Sequence, residues 1–334
     1  MSKINISEIA RLAGVSKSTV SRVLNGHSDV MPETRQRIQQ LIKQVDYHPK
    51  AYAKAISHQR SETVCMVLPY SSNNTFSNPY YTEVIRGIAS VVQEKQYQLL
   101  LLYSGQGDYI AAAKEQRADG IVFLNPMETD YQNIQELDKM GFPITIASRA
   151  VGLPHISSVC IDDYKASVLA IEHLISQNHQ HIAIINIPRH FASGEIRFQG
   201  YKDSLKKHGI PFREKYVVTC EDVLIENGLY AMQKLLRIPD ITAVYVTDDM
   251  MAAGAIRAIN LEGGSVPADY SIIGFDDHPL SEYLNPALTT IRHNACERGM
   301  LAAAMLLEKI ENKPVEDSYV LDVELIVRDS TRKI

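Results

Sequence analysis

From Thr63 onward, short apolar runs alternate with amphipathic stretches, and no other feature of this chain restricts its fold as much. The runs are "VCMVLPY", "QLLLLYS", "GIVFLNP" and "ITIAS", then "IAIINI", "YVVTC", "AVYVTD" and "SIIGFDD". Each reads as a strand. Between them, "YTEVIRGIASVVQEKQ", "YKASVLAIEHLISQN" and "MMAAGAIRAINLEGG" carry apolar residues at helical spacing. Strand and helix in alternation predict parallel sheets covered by helices, and two such series predict two doubly wound α/β lobes. Ligands of such sheets bind beyond the carboxyl ends of the strands, which places a site in the cleft between the lobes.

The first 60 residues differ in charge and in period. They hold ten Lys and Arg against four acids, a net of +6, whereas the remainder holds 24 against 35, a net of −11. A basic head on an acidic body points to a polyanion as the partner of the head alone. Ile6, Ile9, Ala10 and Ala13 repeat at helical spacing, and Gly14 suits a turn that needs positive φ. Ser16 then reads as the N-cap of a second helix, with Val20, Val23 and Leu24 as its apolar stripe. The pair is a helix-turn-helix pattern, and Lys17, Ser18, Ser21 and Arg22 point away from the stripe, as side chains entering a DNA major groove must. Pro32 opens a third helix whose Ile38, Leu41, Ile42 and Val45 close a small core.

Composition removes other classes. A chain of 334 residues with 45% apolar content fills two or three domains. No segment approaches the roughly 18 apolar residues of a membrane span, and no leader pattern opens the chain, so a cytoplasmic protein without membrane contact is expected. Cys65, Cys160, Cys220 and Cys296 lie far apart, with no Cys-x-x-Cys pair, and read as reduced. "HQH" at 179–181 has no third metal ligand in reach and reads as surface or capping residues. His190, His278 and His293 read as hydrogen-bonding partners, and "GQG" at 105–107 lacks the features of a phosphate cradle. With no nucleophile elbow and no Walker or dinucleotide loop, neither an enzyme nor a cofactor is expected.

The segment "ISEIARLAGVSKSTVSRVLNG…PETRQRIQQLIKQVDYHPKAYAKAI" closely resembles the headpiece of the lactose-repressor/galactose-repressor family of bacterial transcription regulators. The resemblance continues through "SNPYYTEVIRGI", "RFQGY", "VTDDMMAAGAIRAI", "VPADYSIIGFDDHPLSEYLNPALTTIRH" and "VELIVRDST". It implies a helix-turn-helix headpiece over 1–48, a hinge helix and linker over 49–61, and a periplasmic-binding-protein-like core over 62–334. The N-lobe would take about 62–158 plus 291–320, and the C-lobe about 159–290 plus 321–334. On operator DNA, Lys17, Ser18 and Arg22 would read base edges, and Ser16, Thr19, Ser21, Asn25 and Tyr47 would fix the register through phosphates. Ala53 and Ile56 would lie on the hinge helix, and Ile56 would replace the usual leucine wedged into the central minor-groove step.

For the core, the resemblance implies effector contacts at Tyr80, Tyr81, Arg149, Arg197, Asp248, Asp276 and His293. The residues alone point the same way. Acidic pairs stand at Asp162-Asp163, Asp248-Asp249 and Asp276-Asp277, and carboxylates with guanidinium forks hold hydroxyl groups in fixed geometry. One member of each pair is expected to cap a helix. Asp248 departs from the family's usual asparagine. A phosphate would be opposed by Asp248 and Asp276 and favoured by Arg149, Arg189 and Arg197, and an uncharged sugar is the expected effector. The predicted protein is a homodimeric repressor of a carbohydrate operon, released from a palindromic operator by that sugar. The alternative is a catabolite-control regulator activated by a phosphorylated carrier protein, and a sugar-binding protein or glycosidase-like enzyme is a distant third. The closing "VRDSTRKI" carries no apolar heptads, so no tetramerisation helix is expected.

Overall fold

The computed structural model describes residues 5–24, 29–45, 60–69, 72–105, 108–153, 155–189 and 191–334. The chain divides into two compact units, Met1–Glu62 and Thr63–Ile334.

The first unit contains α1 (Ile6–Ala13), α2 (Lys17–Leu24) and α3 (Pro32–Gln44). The Asn5 side chain caps α1 by accepting from the backbone of Ser7 and Glu8. Gly14 ends the helix at φ +64°, returning its own N–H to Ala10 and Arg11. Ile9, Ala10, Ala13, Val20, Val23 and Ile38 are buried together, with Leu41 and Ile42 packed against them. Each fully buried aliphatic side chain contributes about 1.5–3 kcal/mol, so this small core rests on a few residues.

The second unit holds two six-stranded sheets among the described residues. The first comprises β1 (Thr63–Leu68), β2 (Gln98–Tyr103), β3 (Gly120–Phe123), β4 (Ile144–Ile146), β5 (Ser157–Ile161) and β11 (Ser318–Leu321). Its order is β11-β5-β4-β3-β1-β2, all parallel. The second comprises β6 (Ile182–Asn186), β7 (Val217–Thr219), β8 (Ala243–Val246), β9 (Ser271–Asp276), β10 (Thr289–Arg292) and β12 (Glu324–Ile326). Its order is β12-β10-β9-β8-β6-β7, with only β12 antiparallel. Helices α4 (Ser72–Ser77), α5 (Pro79–Glu94), α6 (Asp108–Lys114), α7 (Glu128–Lys139) and α12 (Ala295–Ile310) belong with the first sheet. Helices α8 (Asp163–Ser176), α9 (Ala192–Lys207), α10 (Ile225–Leu235) and α11 (Asp249–Leu261) belong with the second.

The chain passes between the lobes three times, after Ile161, after Arg292 and after Leu321. These crossings come slightly later than the expected boundaries at 158, 290 and 320, because β5 and β10 complete their sheets first. Four strands escaped the sequence reading: β5, β10, β11 and β12. In β5 and β10, Ser157, Ser158, Thr289 and Thr290 are buried despite their hydroxyls, so the apolar pattern that reveals a strand is missing there. β11 and β12 are short edge strands, exposed or half-buried except at Leu321.

Helices α5 and α12 dock at glycines. A Cβ on Gly87 would stand 2.0 Å from the Cys296 carbonyl oxygen, and one on Gly299 would stand 2.1 Å from that of Val84. The backbones of α5 and α12 therefore touch, and the apolar stripe of "VIRGIASVV" faces inward through Val84, Ile88 and Val92. All four cysteines are free, with Cys65, Cys160 and Cys220 buried.

Candidate effector cleft and recognition helix

On α2 the Ser16 hydroxyl accepts from the Thr19 backbone at 3.1 Å, completing the cap that its position predicts. Val20 and Val23 face the core, while Lys17, Ser18 and Arg22 are exposed on the other side. Thr19 and Ser21 are half-buried, and the Ser16 hydroxyl lies 2.6 Å from that of Ser18 and 2.9 Å from that of Thr19. Arg22 reaches Asp29 at 3.0 Å with both side chains in solvent, an ion pair worth at most about 1 kcal/mol. Asn25, Tyr47, Ala53, Ile56 and the hinge helix expected over 50–57 lie outside the described residues.

In the second unit a cleft of about 820 Å³, its open mouth included, opens at the carboxyl ends of both sheets. Tyr80 and Tyr81 line it from the start of α5, Arg149 from beyond β4, and Arg197 from the first turns of α9. Asp248 follows β8, and Asp276 ends β9. Six of the seven expected effector residues therefore meet in one space. His293 does not line it. It sits behind Asp276, 95% buried, with its ring 5.7 Å from Phe275 and 5.9 Å from Tyr80.

The acidic pairs divide their labour. Asp162 caps α8 by accepting from the Lys165 backbone, and Asp163 turns inward to the Arg197 Nε at 2.9 Å. Asp248 caps α11 through the Met251 N–H and also accepts from the Asn78 side chain across the cleft at 3.1 Å. Asp249 is spent on structure, accepting from Ser281 at 2.6 Å and Thr290 at 2.7 Å. The third pair caps no helix, contrary to expectation. Asp276 and Asp277 lie at φ +110° and +49°, in the region of positive φ that L residues adopt sparsely. That turn aims Asp276 into the cleft and leaves Asp277 on Arg292 and Arg328, both at 2.6 Å.

Burial governs the electrostatics. It lifts Asp276 to about 7 against the pull of Arg197 and Arg298. Burial, reinforced by the charge of Asp276, lifts Asp248 to about 7 as well. Burial also works against the charge of Arg197, but Asp163 and Asp276 outweigh it and hold the guanidinium above its ordinary value. The Arg197 guanidinium lies 3.5 Å from the Phe275 ring centroid and donates to the Thr247 carbonyl at 2.9 Å. His293 is held well below its ordinary value by burial and by Arg298 and Arg197, so it is neutral. Its Nδ1 faces Arg298, which can only donate, so Nε2 carries the proton and donates to Asp276 at 2.8 Å.

Arg298, Asn78 and Asn125 also line the cleft and were not anticipated. Asn78, before Pro79, carries a legible cap signal, and it does cap α5 by accepting from the Tyr80 N–H. Arg298 carries no signal, because one Arg in an amphipathic helix reads as a solvated charge. "HQH" is corrected in part: His179 is buried, within reach of Thr242, Ser271 and the Arg332 carbonyl, because it packs behind β8 and β9. No cluster of three metal-ligating side chains occurs among the described residues, and none of their helices is long and apolar enough to cross a membrane.

A helix-turn-helix unit preceding a core of two parallel-sheet lobes with a polar cleft defines a ligand-responsive DNA-binding regulator. Residues 5–50 match the model for bacterial regulatory proteins of the lacI family, and residues 171–331 match a periplasmic binding protein-like domain. The HTH-type transcriptional regulator CelR of Thermobifida fusca is 32% identical, over 96% of each chain. Catabolite control protein A of Priestia megaterium is 32% identical, over 98% of this chain and 99% of its own. Among solved structures, a complex of CelR with cellobiose matches at TM-score 0.74 and 31% identity, covering 98% of this chain and 99% of that one. The lac repressor dimer bound to operator and the anti-inducer ONPF matches at TM-score 0.85 and 25% identity, with the same coverage. The chain belongs to the lacI family of bacterial transcription regulators.

Proposed function

We propose that this regulator binds a palindromic operator as a homodimer and releases it when a small sugar-like effector enters the cleft. The observation that carries the reading is the meeting of Arg197, Asp248 and Asp276 in one buried space, paired donors and acceptors suited to adjacent hydroxyls. The solved complex of the related CelR contains cellobiose, which supports a carbohydrate. On α2, Lys17, Ser18 and Arg22 read base edges, and Ser16, Thr19 and Ser21 contact phosphates. The hinge helix, with Ile56 as its wedge, forms on the operator, and effector binding favours a core state in which it does not. No catalysis is assigned. Asp163 is engaged by Arg197, and Asp249 by Ser281 and Thr290.

Likeness to a catabolite control protein supports a second reading, in which a phosphorylated carrier protein raises affinity for DNA. Selecting genomic fragments with purified protein, with and without sugars, separates the two. Recovery of one short palindrome that sugars release is expected. Binding that sugars leave unchanged and a phosphorylated carrier strengthens would establish the second reading. Recovery of no preferred sequence under either condition would overturn both.

A further inference from the structure

Arg298 on α12 is 95% buried and lines the cleft. Its Nη1 donates to the Tyr80 hydroxyl at 2.7 Å, and its Nη2 stands 3.5 Å from His293 Nδ1. Its Nε has no hydrogen-bond partner, and no described carboxylate lies within 4 Å of the guanidinium. Arg197, equally buried, has Asp163 at 2.9 Å. A buried cation without a counter-charge is costly unless something supplies one.

Arg149 repeats the pattern. Its Nη2 donates to the Ile161 carbonyl at 2.9 Å, while its buried Nε has no hydrogen-bond partner and no carboxylate is in contact. Both guanidiniums lie near Cys160, whose thiol burial raises while the two positive charges pull it down. Arg149, Cys160 and Arg298 all line the one cleft. Arg189, which the sequence offered as a third cation, is exposed and held by Glu195. The carboxylates of the site are engaged as well, Asp248 by Asn78 and Asp276 by His293.

We propose that the effector is a sugar acid, with its hydroxyls on Arg197, Asp248 and Asp276 and its carboxylate on Arg298 and Arg149. This rests on the reading of the cleft as an effector site and replaces the uncharged sugar expected from the sequence. One carboxylate carries one charge and two oxygens, and so suits two cleft-lining guanidiniums that no carboxylate contacts. A phosphate dianion would add charge facing Asp248 and Asp276.

The test is calorimetric titration of the full chain with matched probes: D-galacturonate against D-galactose, D-glucuronate against D-glucose, D-gluconate, and D-glucose 6-phosphate. At least one uronate binds about tenfold or more tighter than its neutral counterpart, the scale of one charge-assisted contact. Arg298→Gln and Arg149→Gln each bring that ratio towards one, while Arg298→Lys keeps part of it. Neutral sugars binding as tightly as their acids would overturn the proposal and leave the sugar reading intact. A phosphate ester preferred to every acid would overturn the carboxylate, and an unchanged ratio in both Gln variants would overturn the two arginines. Binding of none of these probes, with no release of operator, would overturn the sugar reading itself.

Discussion

Arg22 and Arg298 show what environment does to one side chain. Arg22 shares solvent with Asp29, so leaving that ion pair for a guanine costs little. Arg22→Ala is expected to lower operator affinity by about 1–3 kcal/mol while changing affinity for unrelated DNA much less. Titrations of operator and scrambled duplex at one salt concentration measure the difference, and an equal loss on both would make Arg22 a phosphate contact. Asp248 supplies a pH test. It ionises near 3.9 in an unfolded chain but near 7 in the fold. Between those values the native state holds the extra proton, so the contribution of Asp248 to stability falls as pH rises from about 4 to about 7, then levels off. Asn caps a helix as well as Asp. Asp248→Asn should therefore stabilise the core more at pH 8 than at pH 5, by about 2 kcal/mol of difference in urea unfolding. The same gain at both pH values would show that the buried charge is not the cause.

At the scale of elements, the contact between α5 and α12 places Tyr80 and Arg298 on facing helices. Gly299, beside Arg298, meets the Val84 carbonyl, an obstacle of backbone that cannot rotate away. Gly299→Ala should cost about 1–3 kcal/mol, the usual penalty of overpacking, read as a lower midpoint of thermal unfolding. A neutral result would mean that the helices separate freely. The same elements explain what the sequence reading missed. Thr290 belongs to a strand because its hydroxyl is taken up by Asp249 at 2.7 Å, and Thr289 because its hydroxyl accepts from the Arg328 N–H at 2.9 Å. Polar residues become strand interior only when distant partners satisfy them, and hydropathy does not record such partners.

For the whole molecule, linkage joins the effector to the operator. Whatever factor the effector takes from operator affinity, saturating operator takes from effector affinity. To move the population substantially the effector must prefer one state by several kcal/mol. Asp276→Asn removes a carboxylate from the cleft while keeping a residue that tolerates positive φ, and it should cut effector affinity at least about tenfold. Release of operator at unchanged effector concentration in this variant would show that Asp276 is not part of the site.

The sequence alone determined the α/β alternation of the core, the three helices of the head with the Gly14 turn and Ser16 cap, and the aspartates at strand ends. These features are written in local period and residue type, which steric and hydrophobic preference translate directly into elements. Only the tertiary structure decided which aspartate of each pair enters the cleft, that His293 stands behind Asp276, and that Arg298 is a buried cation without a contacting carboxylate. Asn78 meets Asp248 across 170 positions and Arg298 meets Tyr80 across 218. Contacts of that separation exist only once the sheets and helices have packed, and packing sets the burial and charge of every group in the cleft.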